Sequence, residues 1–333
     1  MAIRIAVDAM GGDRAPTVVV EGAIRAARES DDLSILLFGP EHLIGAELDA
    51  AGFAGELPIQ IVNASEVIGM GEAPAAAVKT KQHSSIHLGL GAHKQGEAQA
   101  FVSAGNTGAV MAASLFILGR LPGVARPSVI GFYPTTQSYC IVLDVGTNVD
   151  CKPEHLLQFA KMATVYAAAV MKRENAVVAL MNIGEEPGKG NEQVKAAYEL
   201  LSKEPGLNFR GNIEGRDLLH HAADIVVCDG FVGNVMLKLG ESIASAFPHM
   251  IGAEMARLNA TDEERQIVKR VLSGVQKRFN YEEYGGAPLL GVNGNVLIGH
   301  GGSSARAIER MILMAAEEAR QDVAGTIASL LRA

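Results

Sequence analysis

Tyr284-Gly285-Gly286-Ala287-Pro288-Leu289-Leu290-Gly291-Val292-Asn293-Gly294-Asn295-Val296-Leu297-Ile298-Gly299-His300-Gly301-Gly302-Ser303-Ser304-Ala305-Arg306 decides the fold class. Asn295–Ile298 is a short β-like run. A glycine turn, Gly299–Gly302, follows it. Ser303 and Ser304 come next, and helical spacing runs from Ala305 to about Gln321. Strand, glycine turn and helix N-terminus in that order aim backbone N–H groups and the positive end of a helix dipole at one point. Glycine suits such a turn because a Cβ would obstruct both a positive φ and the approach of an anion. Two readings stand side by side: a tight βα loop capped by a serine, or an anion site with His300 at its lip.

Outward from this stretch the same grammar repeats. Ile3–Val7 reads as a buried first strand ending in Asp8-Ala9-Met10-Gly11-Gly12-Asp13, and a helix follows over Thr17–Arg28. Leu33–Phe38 and Ile59–Val62 are further strands. Phe101–Ser103 ends in Ala104-Gly105-Asn106-Thr107-Gly108-Ala109, and Val110–Leu118 is helical. Val129–Tyr133 and Cys140–Leu143 are strands, the second ending in Asp144-Val145-Gly146-Thr147-Asn148. A helix begins near Pro153. Val177–Met181 ends in Asn182-Ile183-Gly184, and Ile225–Cys228 ends in Asp229-Gly230-Phe231-Val232-Gly233-Asn234. Strands alternating with helices predict βαβ units and a mostly parallel sheet between helical layers, in a single α/β domain over 1–333. Glycines and small polar residues follow the strands, at the carboxyl edge where open α/β sheets bind ligands, which predicts one shared cleft.

Composition removes several function classes. The 333 residues carry a net charge of −8, no Trp and few aromatics. That argues against a phosphate-backbone footprint and against base stacking, so no nucleic-acid partner is expected. Cys140, Cys151 and Cys228 are spaced for neither a zinc knuckle nor a disulfide framework, which suits a reducing cytosol. The N-terminus enters a strand pattern directly, unlike a signal peptide, and no apolar run is long enough to span a bilayer.

The common cofactor motifs are absent. The turn after the first strand does not complete a dinucleotide fingerprint, and Gly188-Lys189-Gly190-Asn191 lacks Walker spacing. There is no Gly-x-Ser-x-Gly elbow. His220-His221 with Asp224 offers poor metal geometry, because adjacent helical histidines diverge. Cys228 reads as a small buried thiol rather than a nucleophile. What remains is a set of small polar loops, Ser103–Asn106, Asp144–Asn148, Gly184–Asn191, Asp229–Asn234 and His300–Ser304, which suits an anion or acyl carbonyl held by neutral donors. Asp144 and Asp229 are equally suited to capping the helices that follow them.

Residues 242–281 break the rhythm. Ile243, Phe247, Met250, Ile251, Met255 and Leu258 recur at helical spacing, with Pro248 placed to kink the run. Thr261-Asp262-Glu263-Glu264 is a capping box. Val268, Val271, Leu272, Val275 and Phe279 then form a second stripe, opposite Lys269, Arg270 and Lys277. This predicts a helical hairpin insertion that packs on the core, across a dimer interface or on a bilayer.

Seven of these segments resemble the PlsX-type phosphate acyltransferase family of bacterial phospholipid synthesis: Val7–Asp13, Ser103–Ala109, Asp144–Asn148, Asn182–Gly184, Lys189–Glu192, Asp229–Asn234 and Tyr284–Ala287. The similarity runs nearly end to end. It implies a three-layer α/β/α sandwich related to isopropylmalate dehydrogenases and phosphate acetyltransferases. It implies transfer of a fatty acyl group from acyl-carrier protein to orthophosphate, without a cofactor or metal. It also implies a homodimer lying loosely on the inner face of the cell membrane, near the next acyltransferase, to which it would hand its product. Under that resemblance Lys189, His300, Asn234 and Asp229 are the candidate catalytic residues. Asp8, Gly11, Gly12, Asn106, Thr107, Asp144, Asn148, Gly301, Gly302 and Ser303 are the candidate phosphate and substrate contacts. Phosphate would sit at the Gly299–Ser304 turn with Lys189, and the oxyanion at amides from Asn106 or Asn234. His300 would orient phosphate, held by Asp229 or Asp144. Two alternatives are a coenzyme A-dependent phosphate acetyl- or butyryltransferase and a non-catalytic membrane-associated scaffold.

Overall fold

The computed structural model describes residues 2–53, 55, 57–278 and 284–332, with residues 277 and 278 described by backbone alone. Phe279 and the side chain of Lys277, both assigned to the hairpin from sequence, lie outside the described residues. The first part of the chain runs β1 (Ile3–Asp8), α1 (Thr17–Glu29), β2 (Leu33–Gly39), α2 (Glu41–Ala50), β3 (Ile59–Asn63), α3 (Pro74–Thr80), α4 (Ser85–Lys94), β4 (Ala100–Ser103), α5 (Thr107–Ile117) and β5 (Ser128–Val129). The middle runs β6 (Gly131–Pro134), β7 (Tyr139–Leu143), α6 (Pro153–Ala169), β8 (Val177–Met181), α7 (Glu192–Lys203), β9 (Asn208–Ile213), a short 3-10 helix (Gly215–His220), β10 (Ile225–Val227), α8 (Gly230–Arg257) and α9 (Asp262–Arg278). The end runs β11 (Ala287–Leu290), β12 (Val296–Ile298), α10 (Ala305–Arg320) and α11 (Val323–Arg332).

These elements fall into two compact units. The first comprises Met1–Val129, Val165–Glu174 and Tyr281–Ala333; the second comprises Ile130–Thr164 and Asn175–Asn280. Each carries its own α/β sheet. The first sheet is ordered β3-β2-β1-β4-β12-β11-β5. It is parallel from β3 to β12, and β11 runs antiparallel to both of its neighbours. Continuous apolar strands such as Ile5–Val7 and Leu33–Leu37 are buried almost throughout, as a sheet covered on both faces requires. The amphipathic helix α10 buries Ile308, Met311 and Ile312, worth roughly 1.5–3 kcal/mol each. It crosses α1 closely at Gly22, where a Cβ would lie 2.6 Å from the Ile308 Cβ.

The second sheet is ordered β6-β7-β10-β8-β9, with β6 as the antiparallel edge. Its core joins Val142, Ala179, Ile213, Leu218 and Val226. The run 129–133, continuous in sequence pattern, is divided: Val129 pairs with β11 in the first unit, and Gly131–Pro134 pairs with β7 in the second. The helical hairpin also differs from its predicted extent. Helix α8 starts at Gly230, directly behind β10, and runs through Pro248 for 28 residues. The turn before α9 is the capping box read from sequence: the Thr261 amide donates to Glu264 Oε2, and the Glu264 amide donates to Thr261 Oγ1. Among the described residues no helix is long and apolar enough to cross a membrane.

Candidate active site

In the first unit the chain leaves β1 toward β2 and β3 and returns to lay β4 on the other side. The reversal makes the carboxyl ends of β1 and β4 the switch point of the sheet, where open α/β folds place ligands. Asp8 ends β1 and Ser103 ends β4. Both are buried, and the Ser103 hydroxyl donates to Asp8 Oδ2 at 2.6 Å. The same hydroxyl accepts the Gly105 amide at 3.0 Å, and Asp8 Oδ1 accepts the Met10 amide at 3.1 Å. Burial raises the Asp8 carboxyl above its ordinary range, and hydrogen bonds from Ser103, Ser85 and Met10 pull against that rise. Gly11 lies so close that a Cβ would stand 2.6 Å from the Gly105 nitrogen. Gly12, at φ +110°, faces the Gly301 carbonyl.

The Gly299–Ser304 turn locks onto these two strand ends. The Gly299 amide donates to the Ser103 carbonyl, and the Asp13 amide donates to the Gly301 carbonyl, each at 2.8 Å. Within the turn, the amide and hydroxyl of Ser303 both donate to the His300 carbonyl, and the Gly302 amide donates to His300 Nδ1. Ser304 caps α10 by accepting the Ala307 amide. The turn is therefore closed on its own carbonyl rather than an open cradle of amides. Of these residues, Gly301 keeps an amide with no acceptor among the described residues. His300 itself is exposed. Arg14, which sequence reasoning passed over, donates to the Ser303 carbonyl at 3.0 Å and the Gly302 carbonyl at 3.3 Å. Its place directly after Gly-Gly-Asp was the available signal. A cavity of about 10 Å³, room for about one water, lies between Gly11, Gly12, Arg14, Gly301 and Ser303.

Asn106 has a structural occupation. Its Oδ1 caps α5 through the Ala109 amide, and its Nδ2 donates to the carbonyls of Gly69, Met70 and Glu72. That nitrogen has two hydrogens and three acceptors, so the side chain pins the 69–72 loop and has no donor left over for an oxyanion. Thr107 opens α5 beside it.

In the second unit the carboxyl ends of β7, β10 and β8 lie side by side and carry Asp144, Asp229 and Asn182. Asp144 is fully buried, and its Oδ2 accepts the Asn148 amide at 2.6 Å. Asn148 in turn accepts the Gly230 amide on its carbonyl. Asp229 caps α8 by accepting the Val232 amide at 2.8 Å. The start of α8 rests on the Asp144 loop because two glycines allow it: a Cβ on Gly230 would stand 2.4 Å from Asp144 Oδ2, and one on Gly233 would stand 1.9 Å from the Asp144 carbonyl oxygen. Asn234, in that first helical turn, is exposed beside Gly146. Cys228 is buried; burial, with Asp229 and Asp144 nearby, pushes its thiol well above the ordinary value, which disfavours the thiolate.

Lys189 stands exposed on the loop after β8. Its aliphatic stem crosses Gly184, where a Cβ would meet the Lys189 Cγ at 2.9 Å. Its backbone is tethered by Asn182, whose Nδ2 donates to the Lys189 carbonyl at 3.1 Å. His221 binds Thr135 Oγ1 through Nδ1 and lies 3.4 Å from Asp224, an arrangement that braces the 3-10 helix. Among the described residues no group of three or more His, Cys, Asp and Glu side chains is placed to hold a metal.

A family profile described as a fatty acid synthesis protein matches residues 3–326. A phosphate acyltransferase of Salinibacter ruber is 57% identical over 324 residues, covering 97% of this chain and 96% of that protein. The chain belongs to the phosphate acyltransferase family. It is, with that family, an acyltransferase. The phosphate acyltransferase of Chlorobaculum tepidum is 48% identical over 335 residues, covering 97% of this chain and all of that one. Among solved structures, a phosphotransacetylase from Streptococcus pyogenes superposes with a TM-score of 0.64 at 21% identity, covering 96% of this chain and 94% of its own. A branched-chain phosphotransacylase from Enterococcus faecalis does so with a TM-score of 0.61 at 13% identity, covering 95% and 99%. These distant structures share the fold that this phosphate acyltransferase family member adopts.

Proposed function

We propose that the chain transfers a fatty acyl group from the thioester of acyl-carrier protein to orthophosphate, giving acyl phosphate and the free carrier thiol for phospholipid synthesis. The observation that carries this reading is the full-length identity to phosphate acyltransferases. The chemistry asks little of a protein beyond placement. A phosphate oxygen attacks the thioester carbonyl, an oxyanion forms, and a thiolate leaves. Because a thiol has a pKa near ~8.5, the leaving group needs little acid assistance. The protein must hold two reactants together and offer fixed donors where charge develops.

Lys189 supplies the positive charge for phosphate or the oxyanion. Its exposure at a strand's carboxyl end, on a loop tethered from below, supports this assignment. Asn234 supplies an amide donor, since Asn106 is already engaged. Within the first unit, His300 and the Gly301 amide are the candidate phosphate donors, with Gly11, Gly12, Gly302 and Ser303 shaping the turn and Asp8 and Thr107 supporting it. Asp144, Asn148 and Asp229 hold the start of α8, and with it Asn234. The acidic carrier protein is met by Lys269 and Arg270, exposed on α9. The distal half of α8 leaves Phe247 at 55% and Met250 at 64% exposure, a surface suited to a second copy of this chain and to the membrane face.

The test is loss of thioester in the presence and absence of orthophosphate, with acyl-carrier protein and acyl-coenzyme A offered in parallel. Phosphate-dependent loss with the carrier protein is the expected result. Loss with coenzyme A alone would assign the chain to coenzyme A-dependent phosphate acetyl or butyryl transfer. No loss with either would leave a scaffold.

A further inference from the structure

Asn212 lies outside every motif and Asn182, inside one, was assigned no role, yet both are nearly fully buried and both reach the same exposed loop. Asn182 follows β8, and Asn212 lies in the neighbouring strand β9, opposite Leu180. Asn212 Nδ2 donates to the Glu186 carbonyl at 3.0 Å. That carbonyl also accepts the Lys189 amide at 3.1 Å. Asn182 Nδ2 donates to the Lys189 carbonyl. Lys189 is thus fixed on both sides of its Cα, by one buried amide through Glu186 and by another directly. The loop leaves at Gly190, whose φ of +92° and missing Cβ fit it against Asn182 Oδ1, only 2.5 Å from where that Cβ would stand. Asn191 then caps α7 by accepting the Val194 amide.

The choice of residue at 212 is the telling part. Its Oδ1 is buried without a partner among the described residues. An unsatisfied buried amide oxygen is a penalty that an apolar side chain would avoid. What an apolar side chain cannot supply is the donor to Glu186.

We propose that Asn182 and Asn212 are positioning residues, a buried pair of amide clamps that hold residues 183–190 so that the Lys189 ammonium stays aimed at the reacting anion. The proposal rests on the catalytic reading of Lys189. The two are separated by a double-mutant cycle combined with a cleavage assay. In the parent background, Asn182→Ala and Asn212→Ala lower kcat by ~10- to 100-fold, the scale of a misplaced reacting group, while KM for the acyl donor holds. In the Lys189→Ala background the same substitutions add less than ~3-fold, because the group they aim is gone. Independently of activity, trypsin cuts after Lys189 up to ~10-fold faster in the asparagine variants, scored by mass spectrometry on protein shown to be folded by its melting curve. Asn182→Asp, equal in size and lacking the donor, replaces the alanine variant where that fails to fold. Unchanged cleavage together with unchanged kcat overturns the clamp. Equal losses in the two backgrounds overturn the positioning role and leave a general effect on stability. Near-parental activity of Lys189→Ala overturns the reading of Lys189 instead, and the clamp is then judged by cleavage alone.

Discussion

The two sheets end in carboxyl edges built from the same residue types, and they use them in opposite ways. The first edge is knotted inward. Asp8, Ser103 and Gly105 bond to one another, the Gly299–Ser304 turn bonds to His300, and Asn106 is consumed by three carbonyls. The second edge hides its supports and presents its tips. Asp144 and Asn148 lie buried under α8, Asn182 lies buried under its loop, and Lys189 and Asn234 stand exposed above them. Small polar loops that look alike in sequence therefore divide into a rigid floor and a set of presented donors. Buried, mutually satisfied polar groups specify one geometry, whereas exposed donors remain available to a ligand.

Substitutions can break or sharpen this contrast, and the largest effect belongs to a presented group. Lys189→Ala is expected to lower kcat ~10²- to 10³-fold with an unchanged melting temperature. Turnover within threefold of the parent would remove Lys189 from the chemistry. His300 is the histidine of the first edge's turn, and His300→Ala is expected to cost ~10²-fold in turnover. His300→Gln should recover part of that if orientation rather than proton transfer is its role. If both variants keep the parental rate and pH profile, the first edge acts through its backbone alone.

The supports should show up in stability first. Gly233→Ala forces a Cβ into the Asp144 carbonyl, and overpacking of this kind costs ~1–3 kcal/mol or more. Denaturant unfolding reads it directly, and a neutral result would mean that α8 can shift off the Asp144 loop without loss. Asn106→Ala removes a cap and a loop anchor together, for ~1–2 kcal/mol, with a smaller effect on rate than Lys189→Ala. A larger rate effect at intact stability would return Asn106 to the oxyanion.

The smallest effect is a slope. Burial raises the folded-state pKa of Asp8 above its unfolded value, so the folded chain binds the proton more tightly. The stability this lends is fully present below the unfolded pKa and is lost as pH rises through the folded one. Asp8→Asn should flatten the pH dependence of stability in that window. A parallel curve for the variant would mean that Ser103 and Ser85 hold the carboxylate charged at no cost.

Much of this was legible in the sequence where one local signal dominates. The strands β1, β2, β4, β7 and β8 are apolar runs stopped by glycine or a small polar residue. Helix α10 was marked by the pair Ser303-Ser304 and its period, the structure choosing Ser304 as the cap, and α9 by Thr261 and Glu264. Strand β9 was missed because it is an edge strand with polar residues on its open side and a register shift beside Gly211. Strand β11 was missed because Pro288 and the flanking glycines read as a turn. The break at Val129–Ile130 carries no local mark at all; it exists only in the choice of pairing partner. In the site, the residue types were visible but their occupations were not. Asn106 is engaged by carbonyls 34 to 37 residues away in the chain, Asn234 is exposed, and Asn212 offered no sequence signal of any kind.

The most direct test of the central claim follows phosphate oxygen into the product. The chain is incubated with carrier protein bearing a thioester-linked fatty acyl group and with orthophosphate labelled with oxygen-18, and the products are resolved by mass spectrometry. The account predicts acyl phosphate that keeps every labelled oxygen, formed in step with free carrier thiol. Unlabelled fatty acid released in step with that thiol, with no acyl phosphate formed, would show that water rather than phosphate attacks the thioester and would contradict it.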